Sequence, residues 1–138
     1  MASKPVTMRV AQFVALSEAL TGWSGLDRRL AAEYLARIRD TGPASALPRL
    51  ADAFDASRTV ANPDAAFADA VMGDDALRDL CVEIVLLWYL GQVHEPGKPV
   101  VGGHADHYYR GLLWPTIGAH PPALSGGYFG HWAYPPDN

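Results

Sequence analysis

The sequence predicts an all-α protein: a small bundle of about five helices followed by a long irregular, aromatic-rich C-terminal arm. Three observations predict it. From Val10 to about Leu90, apolar residues recur at three- and four-residue spacing, the period of one helical face. Between these stretches stand helix-ending and helix-starting residues: Gly22, Gly42-Pro43, Asn62-Pro63 and Gly73. After Val93 the periodicity ends and the composition changes.

Val10, Phe13, Val14 and Leu20 give the first helix its apolar stripe, which ends near Gly22. Ser24 with Asp27 three positions on resembles a capping box, with aspartate in the usual glutamate position. Leu26, Leu30, Tyr34, Leu35 and Ile38 then follow at helical spacing, and Gly42-Pro43 stops that helix. Leu47, Leu50 and Phe54 mark a third helix, with Pro48 tolerated only in its first turn. Asn62-Pro63 has the form of an N-cap followed by proline at the first helical position, opening a fourth helix to about Met72. Gly73 and two aspartates begin a fifth, carrying Leu77, Leu80, Cys81, Ile84, Val85, Leu87 and Trp88. It starts amphipathic and is apolar all round from Ile84 onward, the pattern of a helix enclosed by others.

The arm differs. Residues 94–138 hold eight of the 13 glycines, seven of the 11 prolines, half the aromatic residues and all five histidines, yet only five charges. A disordered tail is rich in charge and poor in rings, so simple disorder does not account for this composition. Only Tyr108–Trp114 (YYRGLLW) has the makings of a helical turn or two. The expected organisation is one domain, with residues 1–93 as the bundle and 94–138 as an ordered arm whose rings bury against something.

Several function classes are excluded. At 138 residues the chain is large enough for a core without staples. A net charge of -4 and scattered basic residues leave no electrostatic footprint for nucleic acid. The single cysteine, Cys81, rules out an internal disulfide framework. Met1–Val10 contains neither a secretory nor a twin-arginine signal. The longest apolar run, Ile84–Leu90, is far short of a membrane span.

Catalytic motifs are sparse. His104 and His107 (HADH), with His94 upstream and His120 downstream, invite a metal reading. No glutamate stands between the pair as in HExxH, however, and hydrogen bonds from loop histidines to backbone are the plainer account. GxSxG, GxxxxGK[ST] and GxGxxG are absent. Cys81 reads as a small buried hydrophobe within its helix. Asp74, Asp75, Asp79 and Glu83 read as carboxylates complementing a helix N-terminus. The remaining feature is the aromatic segment Ser125–Pro136 (SGGYFGHWAYPP). Tyrosine and tryptophan with few lysines or glutamates is the composition of an interface core.

FVALSEALTG (Phe13–Gly22), LDRRLAAEYL (Leu26–Leu35), LWYLG (Leu87–Gly91), YYRGLLWPTIG (Tyr108–Gly118) and GGYFGHWAYPP (Gly126–Pro136) follow one another in a recognisable order. In that order and spacing the chain resembles the small, or gamma, subunit of bacterial FAD-dependent sugar and polyol dehydrogenases of the sorbitol, fructose, glucose and gluconate 2-dehydrogenase type. The resemblance spans nearly the whole chain. It is most specific at Trp88-Tyr89, Gly91, Leu113-Trp114, Gly126-Gly127, Gly130, Trp132 and Pro135.

The resemblance implies a non-catalytic accessory subunit that binds no cofactor or metal of its own. FAD is expected in a large GMC-type flavoprotein partner, which the small subunit supports in folding and export. A multihaem cytochrome c often completes such complexes. The expected partner interface comprises Trp88, Tyr89, Gly91, Tyr108, Trp114, Gly126, Gly127, Tyr128, Phe129, Gly130, Trp132, Tyr134 and Pro135. The expected compartment is the periplasm, with the signal absent from this chain; the alternative is the cytoplasm. Many relatives carry a cysteine before the Gly-Gly pair that links the subunits. Here Leu124-Ser125 stands there, so no such link is expected from the arm, nor Cys81 as its substitute. Two other readings of the residues stay open: a stand-alone helical metalloenzyme using the C-terminal histidines, and an aromatic sugar-binding module.

Overall fold

A computed structural model of the chain describes residues 8–93, 99, 101–102, 107 and 110–118. Five longer helices run in order: α1 (Val10–Thr21), α2 (Arg28–Arg39), α3 (Leu47–Ser57), α4 (Pro63–Met72) and α5 (Asp75–Leu90). A 3-10 segment, Gly42–Ala46, leads into α3, and a short α6 spans Leu113–Ile117. Two residues each form β1 (Gln92–Val93) and β2 (Val101–Gly102), paired antiparallel with Gln92 opposite Gly102 and Val93 opposite Val101. The described chain is therefore the expected all-α bundle. It groups into two compact units, Met1–Val85 and Leu86–Asn138, the division falling within α5.

In the first unit each helix starts and stops for a local reason. Gln12 reaches back to accept the Arg9 N–H at 3.0 Å, closing the first turn of α1. Gly22 ends it in the left-handed region (φ 75°), donating its N–H to the Glu18 carbonyl at 2.9 Å. α2 begins one residue after Asp27, whose carboxylate accepts the Leu30 N–H at 2.9 Å. This corrects the capping-box expectation: Asp27 is itself the N-cap, and Ser24 lies in the preceding turn. The three-residue spacing matched a box, but aspartate caps as well as serine does, so the pattern alone could not fix which came first. Pro48 stands in the first turn of α3, where its missing N–H costs no bond. Asn62 caps α4 through the Ala65 N–H, and Pro63 occupies its first position. The Asp74 carboxylate accepts the Ala76 and Leu77 N–H groups at 3.0 and 3.3 Å, opening α5.

The apolar faces then bury one another. α1 packs on α2 and α3 on α4, while the 3-10 segment touches both α2 and α3. On α2 the buried residues are Leu30, Ala31, Tyr34, Leu35 and Ile38; on α3 they are Leu47, Leu50, Ala51, Phe54 and Ser57. These are the single stripes that a 3.6-residue period dictates. Phe13 and Leu16 of α1, and Leu77, Leu80, Cys81 and Ile84 of α5, complete the core of this unit. Each large side chain so buried favours folding by about 1.5–3 kcal/mol over its exposed form. α4 contributes least, with only Phe67 and Val71 buried. Phe67 meets Phe54 edge to face, ring centres 5.3 Å apart.

In the second unit, Leu87, Trp88 and Val93 are buried, as is His107. Of the expected turn at Tyr108–Trp114, Leu113 and Trp114 begin α6, which has Pro115 in its first turn and left-handed Gly118 (φ 68°) at its end, while Tyr108 and Tyr109 lie outside the described residues.

Candidate partner interface

The end of α5 is where the sequence places the first interface residues. No residue from Glu83 through Val93 is exposed, as the all-round apolar run from Ile84 requires. Trp88 retains only 2% of its surface. Its carbonyl accepts the Leu112 N–H at 2.9 Å, which ties the approach to α6 against the end of α5. Gly91 closes α5 with φ 67°, donating to the Leu87 carbonyl at 2.9 Å, a conformation open to glycine at no steric cost. Trp88 and Gly91 are thus buried within the chain, whereas Tyr89 and Trp114 keep part of their surface in solvent. Tyr108, Gly126, Gly127, Tyr128, Phe129, Gly130, Trp132, Tyr134 and Pro135 lie outside the described residues.

Of the histidines, His107 is buried at 1% exposure, and His94, His104, His120 and His131 lie outside the described residues. Among the described residues no group of three or more histidine, cysteine or acidic side chains is placed to hold a metal ion. Cys81 is buried, and burial pushes its thiol up to about 12. It is therefore neutral near pH 7, with little thiolate for nucleophilic or exchange chemistry.

The acidic residues of α5 divide. Asp74 caps the helix. Hydrogen bonding from the Leu77 amide, reinforced by the Arg49 guanidinium, holds its carboxyl below the usual carboxylate range. Asp75 in the first turn pairs with Arg78 at 2.7 Å. Asp79 is exposed, but Glu83, one turn further on, is buried at 3% exposure. Glu83 therefore does not belong with the carboxylates at the helix start: eight residues from Asp75, it has rotated onto the packed face.

A surface that sequence reasoning passed over lies in the first unit. An apolar groove of about 330 Å³ runs between α1 and α4, lined by Ala19, Leu20, Phe67, Ala68, Val71 and Met72, with the Asp64 carboxylate beside them. Met72 leaves 64% of its surface in water. The signal for this surface was present in the sequence. α1 and α4 expose Ala11, Ala15, Ala19, Ala65, Ala68 and Ala70, so much of their outer faces is small and apolar, with Asp64 and Asp69 exposed among them.

A Rossmann-type dinucleotide site requires parallel strands and a glycine-rich turn entering a helix. Among the described residues, strand pairing is confined to the short antiparallel β1–β2 ladder. The described residues do not fit FAD in that manner. No helix among them is long and apolar enough to cross a membrane.

No curated protein matches the chain. Residues 2–133 match the family model described as membrane-bound FAD-containing D-sorbitol dehydrogenase. That match covers nearly every residue, including the first four segments that carry the sequence resemblance and the fifth as far as residue 133. The chain therefore belongs to this family, the small subunits of FAD-containing sugar dehydrogenases.

Proposed function

We propose that the chain is the non-catalytic accessory subunit of an FAD-dependent sugar or polyol dehydrogenase, holding a GMC-type flavoprotein in its active assembly. The observation that carries this reading is the family match over residues 2–133 of a helical chain. The flavin and the substrate pocket then belong to the partner, as does hydride transfer from the sugar alcohol. The arm supplies the main docking anchors, Tyr128 and Trp132 foremost, since large rings bury area with few rotors to freeze. The complex works in the periplasm, where the small subunit supports folding and export of its partner and a multihaem cytochrome c takes the electrons.

Purification of the full-length chain from its native source tests this. A flavin-bearing subunit should co-purify, and sugar oxidation should follow that subunit. Ending the chain before Pro121 should abolish co-purification. Stoichiometric flavin and sugar oxidation by the isolated chain would refute the accessory role, and undiminished co-purification of the shortened chain would refute docking by the arm.

A further inference from the structure

The groove between α1 and α4 has surroundings that bear on what could dock there. Its lining is apolar except for Asp64, and its volume of about 330 Å³ is roughly that of one or two large side chains. A methionine on its lining with 64% of its surface in water is an adaptable contact for an incoming apolar group.

Charge selects among occupants. Asp64 lines the groove and α4 carries Asp69 as well; α1 has only Glu18, whose carboxylate accepts the Gly25 and Leu26 N–H groups, and neither helix has a base. The arginines of this unit concentrate elsewhere: α2 holds Arg28, Arg29, Arg37 and Arg39 against a single glutamate, Glu33. Among the described residues Arg58 reaches towards the groove. Its 3.5 Å approach to the Asp64 carboxylate is long and exposed, so it neutralises little. The same guanidinium lies over the Phe54 ring of α3 at 4.4 Å and donates to the Pro63 carbonyl, so it bridges α3 and the start of α4. A second copy of the chain would bring carboxylates against carboxylates across a shared groove. Like-charge juxtaposition of that kind suppresses association. The complementary partner is a different chain that offers an apolar anchor flanked by lysine or arginine.

We infer that the α1–α4 groove is a second docking site, separate in sequence from the arm, for an apolar side chain on a lysine- or arginine-bearing segment of the flavoprotein subunit. This rests on the accessory-subunit reading above. It adds a place on the helical bundle, and a partner chemistry, to a complex otherwise assigned to the arm.

The test uses the full-length chain co-expressed with its flavoprotein subunit. Ala68→Arg fills the groove and adds positive charge at an exposed position where arginine is a good helix former. It should cut recovered flavoprotein at least tenfold, with helicity and melting temperature unchanged. Replacing Asp64 and Asp69 together by asparagine should weaken association and flatten its dependence on salt. Ala32→Arg, on the exposed face of α2, should leave recovery at the wild-type level. If Ala68→Arg disturbs folding, Met72→Ser removes an exposed apolar contact and should produce the same loss. A folded groove variant that recovers as much flavoprotein as wild type overturns the groove assignment but leaves the accessory role standing. Equal loss in Ala32→Arg overturns it as well. Absence of flavoprotein with the wild-type chain overturns both readings.

Discussion

Ser17 is fully buried on α1, and its hydroxyl has no hydrogen-bond partner among the described residues. Its carbonyl is occupied, accepting the Thr21 hydroxyl at 2.8 Å, so the cost falls on the side chain alone. An unsatisfied buried hydroxyl costs about 1–3 kcal/mol, and serine is in addition a poorer helix former than alanine. Ser17→Ala deletes only the oxygen and leaves the methylene packed. It should stabilise the chain by about 1 kcal/mol, read as a higher midpoint in urea denaturation at unchanged slope. A lower midpoint would mean that the hydroxyl has a partner in the folded chain. Cys81 is the contrasting case: a polarisable thiol tolerates burial without a strong hydrogen bond, and the apolar surroundings that keep it neutral also withhold it from other chains.

At the scale of the element, the start of α2 distinguishes two residues that look alike in sequence. Asp27→Ala removes the acceptor of the Leu30 N–H and should destabilise the chain by about 1 kcal/mol, whereas Ser24→Ala, outside the helix, should stay within about 0.3 kcal/mol. Thermal melts of the two variants check this, and equal losses would restore Ser24 to a capping role. The other helix limits were legible because each depended on a local signal: left-handed Gly22, Pro48 and Pro63 in first turns, Asn62 and Asp74 as caps. β1–β2 was not legible, since two-residue strands carry no alternation and their paired residues stand ten and eight positions apart. Glu83 was misgrouped because its burial depends on what packs over α5, which its place after Asp79 does not reveal. The groove escaped notice for a related reason. Alanine-rich stretches of α1 and α4 read as helix formers, and only the fold sets them beside each other.

Across the whole molecule, burial is distributed unevenly, and so should be resistance to opening. Within the first unit α2 buries five side chains and also anchors Met8, whose carbonyl accepts from Arg39 at 2.7 Å. α1 is tied to α3 at a distance in sequence, Gln12 donating to the Asp55 carboxylate at 3.2 Å. α4 has two buried side chains, the exposed contacts of Arg58 with Pro63 and Asp64, and the Phe54–Phe67 edge contact, worth about 0.5–1.5 kcal/mol beyond its area. Opening free energies follow buried apolar contacts and solvent-shielded backbone bonds. Native-state hydrogen exchange on the isolated chain should therefore find α4 amides opening at least about 1 kcal/mol more easily than those of α2. That ordering has a functional side. The helix least held by its own chain is one wall of the groove, so a partner seated there would supply contacts that the bundle leaves unmade. Equal protection of α4 and α2 in the isolated chain would show that α4 is already fully supported, and would remove this link between local stability and docking.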